Sequence, residues 1–150
     1  MTTSELPDDF DVDYQLVRFV RRARAYAMSH LAEIHEELDY NTFLLLLAVC
    51  DSNVGVRASE LAEGMSVHKS TVSRAVSTLE RLGLLDRATH PDDGRAQLLT
   101  VPQDARERVE VFRVQSHAWL AELLVDWSPS ELSSFAQQLA RLNDAAEKQH

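Results

Sequence analysis

The chain has 150 residues, 45% of them hydrophobic and 26% charged, and its formal net charge is −9. That length fits one compact unit, and the apolar content is enough for a packed core, which excludes a disordered chain. Four glycines and four prolines are too few for a many-turned β fold, and a single cysteine excludes an intrachain disulfide framework.

The acidic start, residues 1–9, has no apolar core region of the kind a signal peptide needs. The longest apolar run, residues 43–50, falls far short of the roughly 20 residues of a membrane span. A cytoplasmic location is therefore expected, with residues 1–10 as a flexible arm. An apolar stripe then runs through Val17, Val20, Ala27, Leu31, Ile34 and Leu38, with Arg18, Arg21, Arg22 and Arg24 off it. This spacing predicts a helix of about 25 residues beginning near Val12. So long a helix cannot bury itself in so small a protein, and part of it is expected to pack on another chain. Asp39-Tyr40-Asn41 supplies a break and a capping candidate. Residues 43–50 are apolar all round, the pattern of a central core helix, and 51–55 read as a turn.

A short helix is expected over 58–63, broken at Gly64, with Ser66 as the cap of a longer helix that ends at Gly83. In that second helix Val72, Val76 and Leu79 form the buried face, with Ala75 and Leu82 beside them. The opposite face carries Ser70, Ser73, Arg74, Ser77 and Arg81, with Thr71 and Thr78 at its edge and Glu80 as the acid at its margin. Small hydroxyls permit close approach to a major groove, and arginine can grip guanine with two hydrogen bonds. A face with so little acid suits DNA better than plain solvation. Residues 84–89 and 95–101 read as two strands joined by a five-residue loop with Pro91 and Gly94, a wing. Arg95 stands at its tip, able to enter a minor groove, and Asp93 is expected to hold a neighbouring arginine. Lys69 and Arg87 add positive charge, and His68 lies where it could touch a phosphate.

The net charge argues against a nucleic-acid partner until it is divided. Residues 66–96 hold five Lys and Arg against four acids, so this stretch is +1 and the rest of the chain −10. Beyond the wing, Thr100 is expected to cap a helix with Pro102 in its first turn. Its apolar face runs through Val109, Phe112, Trp119, Leu120, Leu123, Leu124 and Trp127. Ser128-Pro129-Ser130-Glu131 is a capping box that opens the last helix, which is apolar at Leu132, Phe135, Leu139 and Leu142. The terminal helices carry more apolar stripe than one small domain can bury, and a two-fold helical dimer interface follows. The expected fold is mainly α. A winged helix-turn-helix with a two-stranded wing occupies 39–101, and dimerisation helices occupy 11–38 and 102–150.

With these residues in place, the chain resembles the MarR family of winged helix-turn-helix transcription regulators. The resemblance rests on Leu61-Ala62, on Ser70-Thr71-Val72-Ser73-Arg74, on residues 79–87, and above all on the wing Asp92-Asp93-Gly94-Arg95-Ala96 before Leu99-Thr100. It departs from the pattern at 101–104, where many members have a glycine. The resemblance implies a homodimer on a pseudo-palindromic double-stranded DNA operator, with Arg95 reaching the minor groove. It further implies a repressor released by a small aromatic or phenolic ligand. By position alone, Tyr14, Tyr26, His30, Tyr40 and Phe43 are the candidates to line that ligand's pocket, and core packing accounts for each of them equally well.

Cys50 closes an apolar helix and reads as a core residue, since a redox sensor needs exposure and a cationic neighbour. His30, Glu33, His35 and Glu37 are metal-ligand types, but a helix turns His35 away from the others, so no metal and no cofactor are expected. No nucleophile elbow, phosphate-binding glycine loop or His-Glu-x-x-His occurs, and no enzymatic activity is expected. The alternative is a winged protein-interaction module that does not read DNA, which would expose aromatics or leucines on the second helix.

Overall fold

The computed structural model describes residues 11–149, so the arm expected at 1–10 lies outside the described residues. In chain order the elements are α1 (Val12–Ile34), α2 (Tyr40–Cys50), α3 (Ala58–Gly64), α4 (Lys69–Arg81), β1 (Asp86–His90), β2 (Asp93–Thr100), α5 (Gln103–Leu123) and α6 (Pro129–Glu147). The mainly helical fold with an antiparallel β1–β2 hairpin is as expected. By internal contacts the chain divides into two units, residues 1–112 and 113–150.

The first unit is built on α2. Phe43, Leu45, Leu46, Val49 and Cys50 are all buried there, as an all-round apolar helix requires. Around it pack Leu61 and Ala62 of α3, Val72, Val76 and Leu79 of α4, and Leu84, Leu85 and Leu99 at the base of the hairpin. The same core takes in Ala27, Leu31 and Ile34 of α1 and Ala105, Val109 and Phe112 of α5. Phe43 meets Phe112 edge-on, with ring centroids 4.8 Å apart. Two arginines of α5 fasten the ends of earlier helices. Arg108 Nη1 donates to the Ile34 carbonyl at 2.6 Å, and Arg106 Nη1 to the Cys50 carbonyl at 2.9 Å. Both bonds supply partners to carbonyls that a helix C-terminus leaves open.

Caps account for several boundaries. Asp39 accepts from the Thr42 backbone at 3.0 Å and from its hydroxyl at 2.6 Å. Burial pushes the Asp39 carboxyl up, but the bonds from Thr42 and Asn41 outweigh that and hold it below the usual carboxylate range. At α6, Ser128 and Glu131 form the expected capping box with Pro129 in the first turn. The end of α4 is a Schellman motif. Gly83, at φ +70°, donates to the Glu80 carbonyl, and Leu84 donates to Leu79, with both leucines fully buried.

Five boundaries differ from expectation. Helix α1 ends at Ile34 because His35 turns extended, and Leu38 reaches the core from the connecting segment instead of from a helix. Gly64 does not break α3 but lies within it. The chain turns at Ser66, which sits at φ +52° and donates to Glu63 while Val67 donates to Ala62. Ser66 is thus the left-handed residue of a second Schellman motif, and His68, not Ser66, stands at the N-cap of α4. Helix α5 begins at Gln103, with the Pro102 carbonyl accepting from Arg106, so Thr100 stays in β2 and caps nothing. The hairpin closes through Pro91-Asp92 alone, not through five residues.

A left-handed serine carries strain that glycine would not, so Ser66→Gly is expected to stabilise the fold by about 1 kcal/mol. Urea unfolding of the two proteins checks this; a loss of stability would show that the Ser66 side chain contributes more than its backbone costs.

The second unit comprises the end of α5 and α6. Trp127 and Phe135 pack with centroids 5.2 Å apart. No residue of α6 is buried, and Leu120, Leu123, Val125, Phe135 and Leu142 remain exposed. The first half of α1 is similar, with Val12, Tyr14, Val17, Phe19 and Val20 exposed. Among the described residues no helix is long and apolar enough to cross a membrane.

Candidate nucleic-acid interface

Helix α4 is strongly two-faced. Val72, Val76 and Leu79 anchor it to the core, while Lys69, Ser70, Thr71, Ser73, Arg74 and Ser77 are exposed together on the other side. Its N-terminus has no side-chain cap bond from His68 and no acid in the first turn. The Ser77 and Thr78 hydroxyls turn back onto the Ser73 and Arg74 carbonyls at 3.0 and 3.1 Å, and Arg74 Nε approaches the Ser70 carbonyl at 3.4 Å. Such back-bonding keeps the surface smooth and close to the helix axis.

The wing brings Arg95 to an exposed position by a break in its ladder. Thr89 pairs with Gln97 but His90 pairs with Asp93, so Gly94, Arg95 and Ala96 bulge between two pairs. Asp93 Oδ1 accepts from the Arg95 backbone amide at 3.1 Å, a bond to the main chain of that residue and not to its guanidinium. At the other end of the sheet, Val56 and Leu99 exchange backbone bonds at 3.1 and 2.8 Å, a one-residue third strand absent from the sequence reading.

The two remaining arginines of the predicted site are held by acids. Arg81 pairs with Glu37, in the segment after α1, at 2.9 Å. Arg87 forks onto Glu80, with Nε–Oε1 at 2.6 Å and Nη2–Oε2 at 3.3 Å, and its Nη1 donates to Gln97 Oε1 at 3.3 Å. The Glu80 bond holds the Arg87 guanidinium above its ordinary pKa against the opposing effect of desolvation. Gln97 escaped the sequence reading; a polar side chain amid the apolar run of β2 was its one signal. A cavity of about 180 Å3 lies beside Arg87, lined by Ala58, Ser59, Lys69, Ser73 and Val76.

The sequence profile of the MarR family matches residues 38–96, which span the start of α2 through the wing. An uncharacterized HTH-type transcriptional regulator of Bacillus subtilis, YxaD, is 30% identical over 134 residues, covering 89% of this chain and 92% of that protein. The chain belongs to the MarR family. Two solved structures share the fold of this MarR-family chain. Streptococcus pneumoniae FabT in complex with DNA has a TM-score of 0.81 at 16% identity, over 93% of this chain and 97% of that one. CouR from Rhodococcus jostii RHA1, bound to p-coumaroyl-CoA, has a TM-score of 0.72 at 19% identity, over 89% and 92%.

The five pocket candidates do not form one group. Tyr14 lies on the exposed start of α1, beside Val17, Arg18 and Arg21. Tyr26 and His30 stack at 4.2 Å, and His30 Nδ1 donates to the Tyr26 carbonyl at 2.8 Å. Tyr40 lies under the Arg24 guanidinium at 5.0 Å and 6.5 Å from Phe43, which is itself a core residue. His35 Nδ1 accepts from the Glu37 amide, and among the described residues no three His, Cys, Asp or Glu side chains are grouped to hold a metal. Cys50 is buried, as its apolar setting predicts.

Proposed function

We propose that this MarR-family chain is a non-enzymatic, DNA-binding repressor that works as a homodimer on a roughly palindromic operator and is released by a small aromatic or phenolic ligand. The observation that carries the reading is the exposed α4 face of Lys69, Ser70, Thr71, Ser73, Arg74 and Ser77, which holds no acid and lies on the same unit as the Arg95 bulge. Helix α4 would enter a major groove and Arg95 the adjacent minor groove, with phosphates met by His68 and the open α4 N-terminus. The exposed face carries no leucine or aromatic, which disfavours a protein-interaction module.

Dimerisation is supported by the apolar residues exposed on the first half of α1 and on α6. Left in a single chain these large apolar side chains face water, and burying them against a second copy would remove that cost. Two copies would set their α4 helices in successive major grooves about 34–36 Å apart. Ligand release is supported by CouR, which binds p-coumaroyl-CoA on this fold. Tyr14, Tyr26, His30, Tyr40 and Phe43 remain candidates for its pocket by position alone, and the ligand must favour the wrongly spaced dimer to shift anything.

Arg74→Ala is expected to weaken binding to the chain's own promoter DNA by about 1–3 kcal/mol and to relax preference at one base position. Arg95→Ala should weaken binding more evenly across sequences. Gel shifts at two salt concentrations decide, and unchanged affinity in both variants would sink the assignment.

A further inference from the structure

We propose that Glu80 is a positioning residue for DNA binding: through Arg87 and Gln97 it sets the angle of the wing, and with it Arg95, against the recognition helix. This inference rests on the DNA-binding reading above. Glu80 is the penultimate residue of α4, Arg87 lies on β1 and Gln97 on β2. Arg87 pairs in register with Leu99, so Gln97 is its diagonal neighbour on the same face of the hairpin. One guanidinium, rooted on β1, therefore bonds the recognition helix twice, at 2.6 and 3.3 Å, and β2 once, at 3.3 Å. A guanidinium is planar and its donors point in fixed directions, so this three-way contact fixes an angle as well as a distance.

The wing has need of such a brace. A two-stranded hairpin is marginal by itself, and from Thr89 outward this one is mostly exposed, with the Arg95 bulge at its far end. The Glu80 and Arg87 side chains are 33% and 44% exposed, so the pair adds little to overall stability and its value lies in geometry. Glu80 is also an acid at the margin of a surface meant for phosphates. By charge alone, its removal should tighten DNA binding. The brace requires the opposite sign.

The test is promoter binding by the full-length protein and four variants, Glu80→Ala, Glu80→Gln, Arg95→Ala and the double variant Glu80→Ala with Arg95→Ala. Glu80→Ala is expected to bind about fivefold more weakly, with a salt slope smaller by about one phosphate contact. Glu80→Gln removes the same charge but keeps an acceptor for Arg87, and should fall between wild type and alanine. In the Arg95→Ala background, removing Glu80 should cost little more, because both changes act through the wing. Binding by Glu80→Ala as tight as wild type or tighter overturns the proposal, and so does full additivity with Arg95→Ala. A mere loss of folded protein would leave the salt slope unchanged, which also counts against the brace. If wild type binds no promoter DNA specifically, the DNA reading itself fails. The brace is then judged by amide hydrogen exchange at residues 87–89 and 97, where faster exchange in Glu80→Ala supports it and unchanged exchange overturns it.

Discussion

Gly55→Ala is expected to lower the unfolding free energy by roughly 2–4 kcal/mol, a large loss for one methyl group on an irregular segment. Two independent costs meet at this residue. Its φ is +88°, a conformation that strains any residue with a Cβ by about 1–2 kcal/mol. The added Cβ would also stand 3.0 Å from the Leu99 carbonyl oxygen, 3.0 Å from Thr100 Cγ2 and 3.1 Å from Leu98 Cβ. One of the two nearest is a backbone oxygen, which cannot swing away as a flexible side chain could. Relief therefore requires residues 55–56 to draw back from β2, at the expense of the paired Val56–Leu99 bonds and of the Ser52 hydroxyl bond to the Gly55 carbonyl at 2.7 Å. Gly64→Ala is the control, because Gly64 is helical and a Cβ there meets nothing within 4 Å. That change should be neutral or stabilising by up to about 1 kcal/mol. Urea unfolding of the two alanine variants separates them, and equal effects would contradict the close approach at Gly55.

The two glycines also show where the sequence can and cannot be read. Wherever side-chain pattern and backbone demand agreed, the elements were legible. Val72, Val76 and Leu79 gave the buried face of α4, Gly83 gave its end, and Ser128-Pro129-Ser130-Glu131 gave the start of α6. Where pattern and demand parted, the reading slipped. Glycine at 64 signals a break, but the left-handed position falls two residues later on a serine, a type that seldom signals it. The apolar period of α1 ran on to Leu38 after the helix itself had ended, because a connecting segment can also point a leucine inward. A one-residue strand at Val56 has no period at all. For the site, the exposed face of α4 was legible as composition on one side of a helix. The partners of Arg81 and Arg87 were not. Glu37 and Arg81 are 44 residues apart, and only the packing of the segment after α1 near the end of α4 brings them together.

Leu79→Ala is expected to destabilise the protein by about 2–5 kcal/mol while leaving the folded fraction able to bind DNA. Leu79 is fully buried in the core shared by α2, α4 and the hairpin base. Its carbonyl also accepts the Leu84 amide at the Schellman turn, so the residue fixes both the seat of α4 and the direction in which the chain leaves it. Truncation removes buried methyl groups and leaves a void that neighbouring side chains, already close-packed, refill only in part. Against a total stability of about 5–15 kcal/mol, that is a large fraction, and thermal unfolding should show it directly. Arg74→Ala lies on the opposite face of the same helix, five residues earlier and exposed. It should leave the unfolding midpoint near wild type while lowering DNA affinity. On the proposed reading one helix carries two separable loads, anchorage on Val72, Val76 and Leu79 and recognition on Ser70, Ser73, Arg74 and Ser77. If Arg74→Ala were to unfold the protein, or Leu79→Ala to change operator preference with no loss of stability, the two faces would not be separate and the assignment of α4 as a reading helix would fail.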